Sequence, residues 1–397
     1  MRFLILGAGQ QGSACAYDLL SQGDVAHVTL ADVQPERAAP FLPSDSRLVG
    51  LKLDFQDADA VRAAMEEADI VLSAAPYYFN QSLARLAIET GCHYSDLGGN
   101  TEILRAQIAM SEEAEKAGCS LVPDVGLAPG MVNILAAEGI RRLDHPSVVR
   151  MYVGGLPQHP VPPLNYQVVY SLEGMLDYNT TLSWILRDGQ PTRVEALSEL
   201  EEIEFGELGR LEAFHTAGGA SLMPWDYRGE VERLEYKTLR YPGHAVIMKA
   251  IRDLGLLSLE PVRVGDTEVV PRDVFLACAQ PLLQRPGEPD LVALRVVAEG
   301  TSAGAQTRLT WDLLDREDET SGITAMERTT GFTLAIVGLL LGRGVIERPG
   351  VAPSYRAIPY EPYIRELESR GIEFRVSERT GEAMSAETGV ERPEPAR

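Results

Sequence analysis

Cysteine is scarce. The 397 residues hold four, Cys15, Cys92, Cys119 and Cys278, and no CxxC pair. That excludes a disulfide framework and a zinc knuckle, and it fits thiols in a reducing cytosol. The six histidines form no HxH or HxxxH pair, so no metal site is expected. There is no GxSxG nucleophile elbow and no GxxxxGK[ST] phosphate loop. Long apolar runs are missing too. The longest, Thr333 to Leu341, cannot span a bilayer. Met1 to Leu6 is too short for the apolar core of a signal peptide, so a cytoplasmic protein is expected. Positive charge is in deficit: 36 Lys+Arg face 58 Asp+Glu, a net charge of −22. Such a surface repels nucleic acid and anionic membrane, and neither is expected as a partner. A small ligand in a local pocket is not excluded.

Apolar residues are not lacking. At 45% of the chain they can build a sizeable core, and the length allows two or three domains. Up to about residue 125, short apolar runs (Phe3–Leu6, Val28–Ala31, Val49–Leu53, Ile70–Leu72, His93–Ser95, Ser120–Val122) alternate with helical patterns. That alternation predicts βαβ units and a parallel sheet. After the turn-rich Asp124–Gly130 the texture becomes α+β. Strands are expected at Val148–Val153, Tyr166–Tyr170, Arg193–Ala196, Glu232–Leu239, Leu291–Ala298 and Thr307–Leu313. The expected fold class is α/β: a dinucleotide-binding domain at 1–125 and an α+β catalytic and oligomerisation domain with a largely antiparallel sheet at 126–328. The apolar helix near 329–341 opens a C-terminal helical segment, 329–376, that returns to the first domain. The polar stretch 377–397 reads as a disordered tail.

Gly7-Ala8-Gly9-Gln10-Gln11-Gly12 stands between the first strand and the first helix, and Asp32 ends the second strand. This is the dinucleotide fingerprint of a Rossmann domain in its full context. Gly7 makes the turn, Gly9 admits a pyrophosphate and Gly12 lets helix and strand pack. Gln10 and Gln11 open the helix whose free N–H groups face the phosphates. Asp32 is suited to the ribose hydroxyls and would repel a 2′-phosphate, which points to NAD, although Arg37 stands close in sequence. Ala74-Ala75-Pro76 follows a strand's carboxyl end and is expected under the cofactor.

The chain resembles the saccharopine dehydrogenase-like reductases. The resemblance rests on the glycine loop, Asp124–Gly130, Tyr152–Pro157, Pro162–Tyr166, Thr238–His244 and Thr330–Thr333, in that order. It implies an amino acid substrate, a Rossmann domain with an α/β catalytic domain, and a homodimer or higher homo-oligomer. The branch it most resembles, the lysine 6-dehydrogenases, implies NAD-dependent oxidative deamination of the lysine ε-amine to allysine with release of ammonia. Relatives that split or join a secondary amine such as saccharopine share the fold.

Such chemistry needs an amine stripped of its proton, a general base, and a cation for the substrate carboxylate. Asp96, at a strand's carboxyl end, is placed to hold the amine. Arg240 is the expected carboxylate clamp, and His244, near neutrality, the proton relay. Tyr166, with Tyr170 on the same face of an expected strand, would line the pocket or donate to the imine. Lys237 is a further candidate base. Gly154 and Gly155 allow either a close ligand or a bulge, and Asp124 is read as structural.

Overall fold

The computed structural model describes residues 1–381. Its first sheet is wholly parallel. Strands β1 (Arg2–Leu6), β2 (His27–Asp32), β3 (Leu48–Lys52), β4 (Ile70–Ser73), β5 (His93–Asp96) and β6 (Ser120–Val122) lie in the order β6-β5-β4-β1-β2-β3. Helices cover both faces, which is why β1 and β4 read as unbroken apolar runs and are buried throughout but for the first residue of β1. A seventh parallel strand, Gly350–Val351, joins at the β6 edge from far along the chain. Two residues are too few to leave a strand signal in the sequence.

The second sheet is mixed. Glu201–Glu204, Arg210–His215, Arg233–Arg240, His145–Pro157, Asp290–Ser302, Ala305–Arg316 and Arg375–Thr380 lie in that order, with Ser183–Arg187 and Gln190–Val194 attached beside Arg233–Arg240. Its parallel pair is Arg233–Arg240 with His145–Pro157; every other pair is antiparallel. Three differences from the sequence expectation stand out. Tyr166–Tyr170 is not a strand: prolines at 162 and 163 and the left-handed Asn165 (φ 49°) keep that segment irregular. Ser183–Arg187, Glu201–Glu204 and Arg210–His215 are strands that the sequence reading did not place. Arg375–Thr380 also pairs as a strand, so the expected tail begins in ordered structure; its remainder from 382 lies outside the described residues.

Helix Ala325–Gly342 fastens the two sheets together. Thr324 and Glu327 close a capping box at its start, and Asp290 accepts hydrogen bonds from the N–H groups of Ala325 (2.6 Å) and Met326 (3.0 Å). It packs along helix Gln10–Leu20, so closely that a β-carbon on Gly331 would stand 2.6 Å from Cβ of Ala14. The core follows the same line. Phe3 and Ile5 of the first sheet and Val149 and Trp311 of the second belong to one buried cluster. Farther on, Arg370 closes a two-pronged ion pair on buried Asp18 (2.6 and 2.8 Å). No helix among the described residues is long and apolar enough to cross a membrane.

Candidate functional site

The glycine loop is dictated by close packing. Gly7 has φ +107°, and a side chain there would meet the Ala74 carbonyl oxygen at 2.8 Å. A β-carbon on Gly12 would overlap the carbonyl oxygen of Gly7, while one on Gly9 would meet nothing within 4 Å. No side chain caps helix Gln10–Leu20 at Gly9, so its leading N–H groups remain available. Gln10 is exposed; Gln11 is turned inward, and its buried Oε1 has no partner among the described residues. Asp32 ends β2 and is tied to the loop: Oδ2 accepts from the Ala8 N–H (2.9 Å) and Oδ1 from the Gln34 N–H (3.0 Å). An open cradle at Gly9, free helix amides and an acid at the second strand's end fit a dinucleotide.

From this loop a cavity of about 500 Å³ runs to the second sheet. Gln11, Ala74, Ala75 and Pro76 line one end, Arg240 and His244 the other. The structure therefore brings these six sequence-expected residues to one space. Gly7, Gly9, Gln10, Gly12 and Asp32 stand outside its lining, around the loop. The walls between are aromatic and came unseen from the sequence: Tyr77, Tyr78, Tyr178, Phe214 and Tyr236. Tyr77 and Tyr78 directly follow Pro76, a signal that was readable. Phe214 lies on a strand the sequence did not announce.

Arg240 is buried at the end of its strand. Nη1 donates to the Leu239 carbonyl (2.8 Å), Nε has no partner, and no carboxylate pairs with it among the described residues. Its guanidinium lies over the Tyr166 ring at 4.8 Å. A buried guanidinium without a counter-ion is costly, so the arrangement favours an anionic guest. His244 opens the next helix. Its Nδ1 lies 3.0 Å from the Leu164 carbonyl, which can only accept, so Nδ1 carries the hydrogen and Nε2 keeps a lone pair. The ring stacks parallel to Phe214 (9°) and edge-on to Tyr166. Burial first, and the Arg240 charge second, push its pKa down to about 3. This corrects the near-neutral value expected: His244 is a neutral imidazole.

Tyr166 is buried beside this pair, and its hydroxyl has no hydrogen-bond partner among the described residues; burial raises its pKa. It does not line the cavity, whereas Tyr170 does. Asp96 also lies behind the wall. Gln107 Nε2 donates to Oδ2 (2.6 Å) and the Asp124 N–H to Oδ1 (3.4 Å), and burial raises its pKa to about 6. Asp124 touches it, accepting from Ser221 Oγ (2.6 Å) and the Gly99 N–H (3.2 Å); burial raises its pKa to about 7. The two acids join β5 and the interdomain turn to the second domain rather than reach the cavity. Lys237 is spent on Glu201 and the Glu199 carbonyl, each at 2.8 Å. Gly154 is packed against Leu239, while Gly155 borders the cavity. Away from the cavity, ligand atoms of Glu199, His215 and Glu235 lie within 4.8 Å of one another, but Arg187 and Arg233 already neutralise the two acids.

Known proteins share this architecture. The family model for the saccharopine dehydrogenase NADP binding domain matches residues 3–122, and that for the saccharopine dehydrogenase C-terminal domain matches residues 126–372. The chain is 24% identical to the saccharopine dehydrogenase [NADP(+), L-glutamate-forming] of Saccharomyces cerevisiae, covering 92% of this chain and 96% of that one. It is 22% identical to the carboxynorspermidine synthase of Vibrio alginolyticus, covering 95% and 97%. Among solved structures, apo saccharopine dehydrogenase (L-Glu forming) from Saccharomyces cerevisiae superposes with a TM-score of 0.78 at 22% identity, over 96% of this chain and 99% of that one. The homospermidine synthase of Legionella pneumophila in complex with NAD gives 0.68 at 12% identity, over 100% and 95%. With matches to both of its domains in order, this chain belongs to the saccharopine dehydrogenase family.

Proposed function

We propose that the chain catalyses dinucleotide-dependent oxidation, and the reverse reduction, of a carbon–nitrogen bond in an amino acid, with a saccharopine-type secondary amine as substrate. One observation carries the reading: buried Arg240 has no carboxylate partner among the described residues and shares a cavity with Gln11 of the glycine loop and with Ala74 and Pro76 of the turn after β4. The saccharopine dehydrogenases among the relatives support a secondary amine over the lysine ε-amine.

The bound dinucleotide would supply the hydride acceptor. The Gly7–Gly12 loop and the following helix N-terminus would hold its pyrophosphate. Asp32 favours NAD; the NADP named for the yeast relative and the exposed Arg37, which has no ion pair among the described residues, favour NADP. Arg240 would seat a substrate carboxylate and so fix the carbon–nitrogen bond relative to the loop. The aromatic walls disfavour the ammonium form and free the nitrogen lone pair that expels hydride. Nε2 of His244 is positioned to take a proton from that nitrogen, or from the water that splits the imine. A carboxylate on Arg240 would also cancel the charge that depresses His244, so substrate binding would make the imidazole a better base.

A second reading, the ε-amine of lysine, has its own support. Arg240 is the cationic side chain of the lining, accompanied by Glu173 and Asp177, whereas saccharopine brings several carboxylates. The test is reduced-nicotinamide absorbance with saccharopine or lysine, each with NAD and NADP. Turnover of saccharopine with glutamate release supports the main reading. Turnover of lysine with stoichiometric ammonia replaces it with the second. Dinucleotide binding without turnover of either amine would overturn both.

A further inference from the structure

Strand Arg233–Arg240 gives the cavity a patterned wall. Side chains alternate across a strand, so Tyr236, Thr238 and Arg240 stand on one face, and all three line the cavity. Lys237 and Leu239 take the other face, the first on Glu201 and the second in a separate buried cluster. The antiparallel neighbour Arg210–His215 sets Phe214 opposite Thr238, and Thr216, two residues on, brings its hydroxyl to the same wall. Thr216 and Thr238 share a hydrogen bond of 2.7 Å between their hydroxyls. Each hydroxyl has one hydrogen and two lone pairs, so the pair keeps acceptors beyond the bond it shares. Arg240 follows on the same face. Its Nη1 donates to the Leu239 carbonyl, which keeps the guanidinium close to its own strand. Tyr170 meets it from the irregular segment after Pro163 and also lines the cavity. Burial raises the Tyr170 pKa and the nearby Arg240 charge opposes the rise, so the phenol is a neutral donor beside the guanidinium.

We propose that these residues form the head-group subsite for an α-amino acid: Arg240 and Tyr170 hold its carboxylate, and the Thr216–Thr238 hydroxyl pair accepts from its α-ammonium. The inference rests on the amino acid reading above and adds which end of the substrate Arg240 receives. A guanidinium and a phenol are donors, suited to a carboxylate; a hydroxyl pair with spare lone pairs suits an ammonium. The spacing agrees. Thr238 and Arg240 are two residues apart, roughly 6.5 Å along the strand. An α-amino acid carries both groups on one carbon and spans that gap with a hydrogen bond at each end. In saccharopine the lysine-derived half alone keeps a free α-ammonium, so that half sits on Arg240 and the glutamate half lies beyond the reacting nitrogen. Lysine presents the same head, so the subsite serves either amine. It also protects the α-carbon. A hydroxyl accepts the hydrogen bond without taking the proton, so the α-nitrogen stays an ammonium with no lone pair to expel hydride, and oxidation is confined to the distal nitrogen.

Two probes of equal chain length isolate the head: L-norleucine, with carboxylate and α-ammonium, and hexanoate, with the carboxylate alone. Neither has a distal nitrogen to oxidise. Titration calorimetry of the full chain, with NAD and separately with NADP present, should show norleucine binding roughly tenfold tighter than hexanoate. Thr238→Val should erase that ratio and leave hexanoate affinity in place, and Thr238→Ser, which keeps a hydroxyl, should restore it. Tyr170→Phe should weaken both probes alike, roughly tenfold, with the ratio kept. Equal affinity of the wild type for the two probes overturns the proposal without any variant. So does a Thr238→Val chain that keeps the ratio or weakens both probes together, and so does a Tyr170→Phe chain that binds both as the wild type does. The expected binding pattern with no turnover of saccharopine or lysine would overturn the proposed function and leave the subsite standing.

Discussion

Arg240→Ala removes the one guanidinium that, among the described residues, lines the cavity, and it has no acid partner there. The Michaelis constant for the amino acid should rise roughly 100-fold, the loss of a charge-assisted pair of about 2–3 kcal/mol, with dinucleotide affinity unchanged. Arg240→Lys keeps the charge but loses the planar fork, so it should recover only part of that loss. An equal fall in dinucleotide affinity would show that the residue is structural. Asp32→Asn is the cleaner probe of cofactor choice: it keeps an acceptor for the Ala8 N–H and removes only charge. If Asp32 selects NAD, the ratio of NAD to NADP affinity should fall about tenfold or more; an unmoved ratio discards that assignment. At this scale the sequence was legible where residue type alone decides, as at the tightly packed Gly7 and Gly12. It misled where surroundings decide. Nothing in the residues around His244 says that burial and a neighbouring guanidinium lower its pKa. Nothing around Asp96 says that Gln107 and a backbone N–H hold it behind the wall.

Elements show a different kind of legibility. The parallel strands, buried on both faces, announced themselves as apolar runs, and the loop after β1 followed from its glycines. The strands Glu201–Glu204 and Arg210–His215 did not: three of the four residues of the first are glutamates, and in the second the buried Glu212, which accepts from the Gly243 N–H (3.0 Å), interrupts the apolar run. Two glycines of the loop separate packing from binding. Gly12→Ala should cost about 1–3 kcal/mol of stability as well as dinucleotide binding, because its β-carbon has no room. Gly9→Ala should leave the urea midpoint in place, since no atom of the described residues would lie within 4 Å of the new β-carbon, and still weaken binding by blocking the backbone's approach to a pyrophosphate. Equal stability losses in both variants would refute this division of labour. At the long helix, Thr324→Ala should cost about 1 kcal/mol as a lost N-cap. Asp290→Ala should cost more, because it strands two buried N–H groups.

Across the whole molecule, three buried acids shape the pH dependence of stability. Burial raises the pKa of Asp96 to about 6 and of Asp124 and Asp290 to about 7. Between an unfolded value near 4 and these, the native state holds more protons, so each acid makes stability fall as pH rises through that window. His244 acts in the opposite sense: its lowered pKa removes stability as pH falls below about 6.5. The difference between proteins is therefore the readable quantity. Asp124→Asn should gain on the wild type as pH rises from 4 to 7, by at most about 1.4 kcal/mol per pH unit, in urea titrations at each pH. A constant gap across that range would remove Asp124 from the account.

The strand Gly350–Val351 and the helix Ala325–Gly342 also carry a meaning in time. The parallel sheet is complete through β6 once residue 122 has been made, yet the helix that covers Gln10–Leu20 and the strand that closes the β6 edge come more than 200 residues later. At usual rates of synthesis the nascent first domain waits roughly 10–40 s with that helix's apolar flank and a sheet edge bare. The nascent chain would be a natural client for a chaperone during that wait, and a fragment ending near residue 125 should aggregate where the full chain does not.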